Sequence, residues 1–425
     1  NGAHLVDQTG NGVRNSIEGA DGRAADYVRH WTEDGTFARI HPMNMQALWP
    51  ALSLCVMAWL RDHEPESLEK AKWFFNVKDY IRFKLTGEAY LEYSGATGCG
   101  LLNTRDRKID PDMLDIAGLR MVADKLPPVR FATDQCGKVT REAAEQTGLA
   151  EGIPVAAGCY DIDSAGLATG MTDESLINVI VGSWCNNQFI SKTPVVSEQF
   201  FSTTAYAMED YYLMLEGSPT SASNLEWFVS EFLGIEKVAA KAAGRSIYET
   251  CNEAVRNTQP EDSGLVFLPF LYGSNVNPKA RGVLLGMEGW CTRAHVIRAI
   301  YEGICFSHKW HIEKMSRYCD LRGKRVRMAG GAARSGIWRQ MFADILGMPI
   351  EVTGAEELGT LGAAMCAAVC IGAYRNLEEA ARHMVRVVDR VDPNPAHTGI
   401  YQSKYEDYLK AIETLDQYWG SKNDF

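Results

Sequence analysis

The sequence predicts an α/β protein built as two lobes. A chain of 425 residues is too long for one compact core, so two lobes around a cleft are the expected arrangement. In the C-terminal half the strand-like segment Val326–Met328 precedes the turn Gly330–Gly331, and Ser335 can cap a helix. That helix carries an apolar stripe of Trp338, Met341, Phe342, Ile345 and Leu346. Strand, glycine turn and helix in this order indicate an α/β lobe with ligand at the carboxyl end of the strand.

The boundary between the lobes is expected near Thr172. Ile153–Gly158 reads as a short strand, and the small residues of Ser164–Gly170 permit close helix packing beside it. A second apolar strand, Ile177–Val181, begins soon afterwards. We therefore divide the chain into residues 1–171 and residues 172–425.

Two helices are predicted in the first lobe. Met45–Asp62 is rich in large apolar residues at helical spacing and is typical of a buried helix. Asn76–Gly87 reads as a helix stopped by its C-terminal glycine. The residues favour a packing helix with a surface Lys78 over a substrate-binding element.

The charge and cysteine content narrow the function classes. The chain holds 43 basic and 54 acidic residues, a net charge of −11, without a long Lys/Arg cluster, so nucleic acid and anionic membranes are not expected partners. No apolar run reaches membrane-spanning length, and no signal peptide is evident. The 11 cysteines lack metal-site or disulfide-framework spacing, which favours a reduced, cytoplasmic setting without a structural metal.

The most informative stretch joins Gly282–Met287 to His295–Glu302 across seven residues. It resembles the C-terminal signature of the FGGY family of carbohydrate kinases, and every defined position of that pattern is matched. Further segments resemble the family in the same order along the chain: Val155–Asp161, Val181–Trp184, Asn277–Gly282, Met328–Ala332 and Leu361–Ala364.

The resemblance implies an actin-like, ribonuclease H-type pair of lobes, with ATP and a sugar meeting in the interlobe cleft. It also implies transfer of the γ-phosphoryl group of ATP to a sugar hydroxyl, with Mg²⁺ neutralising charge. Family members open with an Asp-x-Gly-Thr-type phosphate loop. This chain starts in a later strand-turn unit, so its first lobe is expected to be incomplete.

Asp161 is the candidate proton acceptor and substrate ligand. It follows an apolar strand and Gly158, so its carboxylate can project from the end of the strand, and it stands where the family has its catalytic Asp. Alternatively, Asp161 or Asp163 caps the helix that begins near Ser164. The residues alone favour the cap, the resemblance favours catalysis, and Asp163 is the better cap candidate.

Two glycine turns are candidates for nucleotide binding. Gly182 and Ser183 follow a strand and resemble the family's second phosphate loop, in which a hydroxyl reaches a phosphate oxygen, although a Gly-Ser pair is often an ordinary turn. Gly330, Gly331 and Ser335 resemble the adenosine side, where glycines let a flat base or ribose lie against the backbone.

Two further groups are assigned by resemblance. Ala222 and Glu226 lie in a segment that resembles the family's nucleotide-flanking helix start, and the equally favoured alternative is a helix N-terminus rich in capping side chains. Asp21 and Arg23 resemble the Asp-x-Arg turn near the sugar, and an exposed salt bridge is the alternative. His308 is expected to be structural or exposed, as are His41 and His311.

Ser218–Phe228 and Phe267–Asn275 most resemble the L-xylulose kinase, or 3-keto-L-gulonate kinase, branch of the family. The expected reaction is phosphorylation of a terminal hydroxyl of an open-chain ketose or related acid. D-xylulose, erythritol, ribulose and glycerol are the alternative substrates. A non-catalytic relative that binds nucleotide or sugar is the alternative from another class. A homodimer is the default expectation for oligomeric state.

Overall fold

A computed structural model describes residues 2–274, 277 and 279–420 as two compact units. The first unit runs to Glu174 and also includes Phe189–Leu215 and Ala355–Arg386. The second comprises Ser175–Gln188, Glu216–Gly354 and the chain from Val387 onward. The chain first changes unit between Glu174 and Ser175, close to the boundary predicted at 171/172, but it later returns twice to the first unit. Asn275 and Pro278, which belong to two of the motifs above, lie outside the described residues.

The chain up to Glu174 forms short strands among helices. A 3₁₀ turn covers Arg120–Lys125. The helices and strands are β1 (His4–Val6), α1 (Ala25–Glu33), α2 (Thr36–Asn44), α3 (Ser53–His63), α4 (Pro65–Lys70), β2 (Trp73–Phe75), α5 (Val77–Thr86), β3 (Leu91–Glu92), α6 (Tyr93–Gly98), α7 (Pro111–Ile116), β4 (Val129–Arg130), β5 (Gln135–Lys138), α8 (Arg141–Thr147), β6 (Pro154–Ala156) and α9 (Asp161–Ala168).

The predicted helix Met45–Asp62 is only partly correct. The buried helix is α3, which starts at Ser53, whereas Met45 ends α2 in the left-handed conformation with φ 56°. Pro50 explains the difference, because proline disfavours helical geometry at the residue before it and lacks the N–H a helix interior needs. Helix α5 ends as predicted, at Gly87 with φ 73°.

From Leu176 onward strands and helices alternate. The 3₁₀ turns are Pro260–Asp262 and Gly331–Arg334. The remaining elements are β7 (Leu176–Val181), β8 (Cys185–Ser191), β9 (Ser202–Ala205), β10 (Tyr212–Ser218), α10 (Ser223–Phe232), α11 (Gly234–Ala242), α12 (Ile247–Arg256), β11 (Val266–Leu268), β12 (Val283–Leu285), α13 (Arg293–Ser316), β13 (Arg325–Ala329), α14 (Gly336–Leu346), β14 (Ile350–Thr353), α15 (Leu358–Cys370), α16 (Leu377–Met384), β15 (Val387–Val391) and α17 (Pro395–Gly420).

The second unit is organised around parallel strands. β13 pairs parallel with β7 on one side and with β14 on the other. β15 adds an antiparallel strand to β14, and the start of β8 pairs antiparallel with β7. In the first unit, β9 pairs antiparallel with the opening residues of β10. The register Ala329↔Ile180 places the carboxyl ends of β13 and β7 side by side, each followed by one of the predicted glycine turns.

Candidate functional site

A cavity of about 700 Å³ lies in the second unit, at the carboxyl ends of β7 and β13. Its size is that of a site for a drug-sized or cofactor-sized ligand. Six of the predicted nucleotide-binding residues line it: Gly182, Ser183, Ala222, Glu226, Gly331 and Ser335. The structure thus brings together, in one cavity, predicted residues from three separate segments of the chain. Their role toward a nucleotide stays a prediction.

The turn after β7 is fastened to the start of α10. Ala222 N donates to Gly182 O at 3.0 Å, and Ser183 O accepts from Ser221 N at 2.9 Å and from Ser223 Oγ at 3.0 Å. The hydroxyl of Ser183 has no partner among the described residues, and the residue is exposed. A free hydroxyl on a fixed turn fits the predicted contact with a phosphate oxygen.

The start of α10 does not follow the predicted capping pattern. Its N-cap position is Ala222, which makes no side-chain cap hydrogen bond. The polar side chains beside it bond elsewhere: Thr220 Oγ1 donates to Pro269 O at 2.6 Å, and Asn224 Nδ2 donates to Ser221 O at 2.8 Å. The interpretation of this block as a set of capping residues is therefore wrong.

The buried side chain of His308 helps to hold the segment that is bonded to this turn. The His308 ring bonds Ser221 Oγ through Nε2 at 3.2 Å and Asn187 Oδ1 through Nδ1 at 2.8 Å. Burial, and then the neighbouring His311, lower the pKa of His308 to about 3. His308 is therefore neutral at physiological pH, and both of its ring nitrogens are used in structure, as expected from the sequence.

The two glycines in the turn after β13 have different roles. Gly330 adopts φ 90° and ψ −179°, and a Cβ there would lie 2.5 Å from Val181 O. Gly330 therefore serves the close approach of two strands and is not among the residues that line the cavity. Gly331 lines the cavity, with open space around the position of a Cβ.

The floor of the cavity contains residues that the sequence analysis missed. Tyr301 and Trp338 are buried and stack with ring centroids 4.1 Å apart. Ser335 Oγ accepts from Trp338 N, which confirms the predicted cap of α14, and donates to Asn252 Oδ1 at 3.0 Å. The hydroxyl of Tyr301 donates to the same oxygen at 3.1 Å. Tyr301 belongs to the His295–Glu302 signature, but no sequence signal marked Asn252.

In the first unit, Asp161 is the first residue of α9 and follows β6 after a turn at Gly158. Its side chain is exposed, and Oδ1 accepts from Ile162 N at 2.9 Å. No other partner for Asp161 occurs in the described part of the chain. The residue thus presents a carboxylate beyond the end of a strand, as expected, and its catalytic role stays a prediction.

Asp163 does not cap α9, so that interpretation was wrong. Helix α9 has no side-chain cap, and Asp163 is fully buried with Oδ1 accepting from Ala207 N at 2.8 Å. Burial, together with the nearby Cys159 and Glu92, raises the pKa of Asp163 well above its ordinary value.

A charged cluster lies beside the start of α9. Lys78 Nζ is 3.0 Å from Asp79 Oδ1 and 3.0 Å from Glu92 Oε2, both on buried side chains. Desolvation alone would lower the pKa of Lys78, but the two carboxylates outweigh it and raise that pKa. Glu92 also accepts from Ser94 Oγ, which in turn accepts from Tyr160 N at 2.9 Å. Lys78 is therefore not the free surface lysine predicted above.

Asp21 and Arg23 bond each other. Arg23 Nε is 2.8 Å from Asp21 Oδ1, and Arg23 Nη2 is 2.9 Å from Oδ2, while the guanidinium lies over the ring of Trp59. Hydrogen bonding from Arg23 lowers the pKa of Asp21. The pair is partly buried rather than fully exposed. No hydrogen bond or ion pair links it to Asp161 in the described residues, and its contact with a sugar stays a prediction.

Across the described residues, no group of three or more His, Cys, Asp or Glu side chains is placed to hold a metal ion. No helix in that part of the chain combines the length and hydropathy needed to cross a bilayer.

The second unit is an α/β unit with a cavity at its strand ends, and the first unit presents an exposed carboxylate; both features fit the class of phosphoryl-transferring enzymes. Residues 1–168 match the N-terminal domain of the FGGY family of carbohydrate kinases, and residues 177–371 match its C-terminal domain. The chain belongs to this family; it is a sugar kinase, and its substrates are a sugar and ATP.

Individual relatives agree with this assignment. The L-xylulose/3-keto-L-gulonate kinase of Escherichia coli (strain K12) is 35% identical over 97% of this chain and 81% of the relative. The probable L-xylulose kinase of Pasteurella multocida (strain Pm70) is 35% identical over 97% of this chain and 82% of the relative. The crystal structure of xylulose kinase from Rhodospirillum rubrum shares the fold with a TM-score of 0.87, at 24% identity over 99% of this chain and 83% of that one.

Proposed function

We propose that this sugar kinase transfers the γ-phosphoryl group of ATP to a terminal hydroxyl of L-xylulose or 3-keto-L-gulonate. The observation that carries the substrate assignment is 35% identity, over 97% of the chain, to the L-xylulose/3-keto-L-gulonate kinase of Escherichia coli. The Pasteurella relative, named a probable L-xylulose kinase, supports the same choice.

The cavity of the second unit is the proposed nucleotide site. The Gly182–Ser183 turn is proposed to bind the phosphates of ATP, because its glycine lets the backbone approach the ligand and its serine offers a free hydroxyl. Gly331 and Ser335 are proposed to contact the adenosine of ATP. The buried, stacked rings of Tyr301 and Trp338 form the rigid floor of the cavity there. Ala222 and Glu226 also line the cavity, at the start of α10.

Asp161 is the proposed general base. Its exposed carboxylate can accept the proton of the attacking hydroxyl, and its place at the start of α9 favours a negative charge. Asp21 and Arg23 are proposed to contribute to the sugar side.

Mg²⁺ is the proposed metal. This ion keeps several waters and binds through one or two carboxylates and the substrate phosphates, so it needs no all-protein cage. Glu226, which lines the proposed nucleotide cavity, offers one such carboxylate. When bound, the ion neutralises charge on the phosphate oxygens.

A cytoplasmic homodimer is the proposed form of the enzyme. The use of ATP as substrate supports the compartment, as do the eleven cysteines, all free thiols and eight of them buried. The homodimer rests on the frequency of such assemblies among soluble oligomers. Light scattering coupled to size-exclusion chromatography, and fractionation of the source cells, test these two points.

The function is tested by following ADP release with the full-length protein. The panel comprises L-xylulose, 3-keto-L-gulonate, D-xylulose, ribulose, erythritol and glycerol. We expect the highest kcat/KM with one of the first two substrates. A clear preference for another sugar overturns the substrate assignment. ATP binding without transfer to any of them favours a non-catalytic relative.

Asp161→Asn is expected to lower kcat by about 10²–10⁴-fold while ATP binding is retained, because the proton acceptor is lost and the nucleotide cavity is unchanged. Asp112→Asn is the matched control. It changes another exposed aspartate of the same unit, whose side-chain carboxylate pairs with Arg120 at 2.8 Å, and should leave kcat within about two-fold. Equal activities of the two variants would rule out Asp161 as the base.

A further inference from the structure

We infer that Asn252 determines base specificity, with its side-chain N–H donating to a ring-nitrogen acceptor of the purine of the bound nucleotide. The inference rests on the proposed function, because it takes the cavity of the second unit as the site of ATP. It concerns a residue on α12 to which the sequence assigned no role.

The side-chain oxygen of Asn252 is fully occupied. Tyr301 OH donates to Oδ1 at 3.1 Å, and Ser335 Oγ donates to the same atom at 3.0 Å. An amide oxygen has two lone pairs, so two donors use its whole capacity. The amide therefore has one orientation, in which Nδ2 points away from both hydroxyls.

The two donors are themselves rigid. Tyr301 has no exposed surface and stacks on Trp338, which is 4% exposed. Ser335 is held by the N–H of Trp338 at the start of α14. The direction of the Asn252 amide is thus set before any ligand arrives, which is the preorganisation that a specificity contact needs.

The nitrogen of the same amide is unused. Asn252 lines the cavity, and its Nδ2 has no hydrogen-bond partner among the described residues. A purine presents neutral acceptors at N1, N3 and N7, which match a neutral amide donor. A ligand lacking an acceptor at that place would displace water from Nδ2 without replacing its hydrogen bond, and such a loss discriminates strongly between ligands.

Two substitutions isolate the donor. Asn252→Asp retains an oxygen for Tyr301 and Ser335 but adds charge, and Asn252→Leu adds no charge but loses that oxygen. The change they share is the loss of the N–H donor. Both should raise KM for ATP by about ten-fold or more, with kcat and KM for the sugar within about two-fold. Tyr301→Phe, which removes a donor to Oδ1 but spares Nδ2, should raise KM for ATP only a few-fold.

Deaza analogues locate the acceptor. The wild type and Asn252→Asp are compared with ATP, 1-deaza-ATP, 3-deaza-ATP, 7-deaza-ATP and 2′-deoxy-ATP, with the melting temperature of each protein measured alongside. One deaza substitution should raise KM of the wild type about ten-fold and leave KM of the variant unchanged, because the two losses concern one hydrogen bond.

Several results would overturn the inference. If 2′-deoxy-ATP, rather than a deaza analogue, raises KM of the wild type and leaves KM of Asn252→Asp unchanged, the amide binds the ribose. If no analogue raises KM of the wild type selectively, or if Asn252→Asp leaves KM for ATP unchanged, Asn252 does not recognise the base. Failure of the wild type to bind ATP in calorimetric titration would contradict the proposed nucleotide site itself, so the two failures are distinguishable.

Discussion

Replacing Gly330 by alanine should weaken the second unit through its backbone, whereas replacing its neighbour Gly331 should not. Gly330 has φ 90° and ψ −179°, a region that only glycine adopts readily. A methyl group on its Cα would lie 2.5 Å from Val181 O and 2.9 Å from Val181 C, atoms of a strand that cannot rotate away. At Gly331 no atom lies within 4 Å of the corresponding position.

The two contributions at Gly330 can be added. A backbone held in that region costs about 1–3 kcal/mol. Forcing a methyl group against a packed strand costs about 1–3 kcal/mol more. The free energy of unfolding should therefore fall by about 2–6 kcal/mol. For a unit of roughly 200 residues, each kcal/mol lowers the midpoint by about 2–4 °C, so the expected drop is about 4–24 °C.

Differential scanning calorimetry of Gly330→Ala and Gly331→Ala measures this difference, and amide exchange at β7 and β13 localises it. Gly331→Ala should stay within about 0.5 kcal/mol of the wild type. It should raise KM for ATP instead, because its methyl group would occupy ligand space in the cavity. Equal midpoints for the two variants would refute the reasoning.

Two further predictions concern packing and pH. Gly362→Ala should destabilise the first unit by about 1–3 kcal/mol in urea unfolding, because its Cβ would lie 2.3 Å from Ser164 O and 2.4 Å from Ser164 Cα. Gly359→Ala, on the same helix with open space around it, should not destabilise; a similar loss in both would argue against the contact. For His308 the folded pKa of about 3 lies below the usual 6.5, so the unfolded chain binds more protons between these values. Its stabilising contribution is complete above pH 6.5 and declines toward pH 3, and His308→Gln should reduce the pH dependence of the unfolding free energy in that window. An unchanged slope would contradict this.

The sequence predicted well wherever local chemistry decides the structure. The order of β13, a glycine turn and α14 follows from a strand-like segment, two glycines and a capping serine. The buried stripe on α14 follows from the helical spacing of its apolar residues. The helix ending at Gly87 and the strand β7 follow in the same way. Gly182 and Ser183 lie beside Gly331 and Ser335 in one cavity because they follow the neighbouring strands β7 and β13, an arrangement that the α/β class implied. Ala222 and Glu226 reach the same cavity from the start of α10.

The signature that revealed the family is mostly scaffold. Gly282–Met287 contains β12, which pairs with β11. On α13, Arg298 donates to Thr258 Oγ1 at 2.8 Å, and Glu302 forms an ion pair with Lys404 at 2.6 Å. Of that signature only Tyr301 lines the cavity. A motif can therefore identify a family without locating its ligand.

What the sequence could not provide depends on contacts between distant segments. Asn252 became notable only through two hydroxyls, that of Tyr301 on α13 and that of Ser335 at the N-cap of α14. Lys78 read as a surface lysine because a lysine on a packing helix usually lies in solvent. The buried carboxylate of Glu92, which completes the cluster, is supplied by a strand beyond the end of α5.

Asp161 and Asp163 show how little separates a candidate catalyst from a structural carboxylate. The two residues have the same side chain, lie two positions apart and begin the same helix. Successive residues of a helix are rotated by about 100°, so positions two apart face opposite sides. Asp163 faces the packed side, where it bonds Ala207 N and burial raises its pKa, which favours the neutral acid. Asp161 faces outward and keeps its carboxylate accessible. Because a proton acceptor must be reachable by substrate, exposure, rather than residue type or motif spacing, is the physical reason to assign the base to position 161.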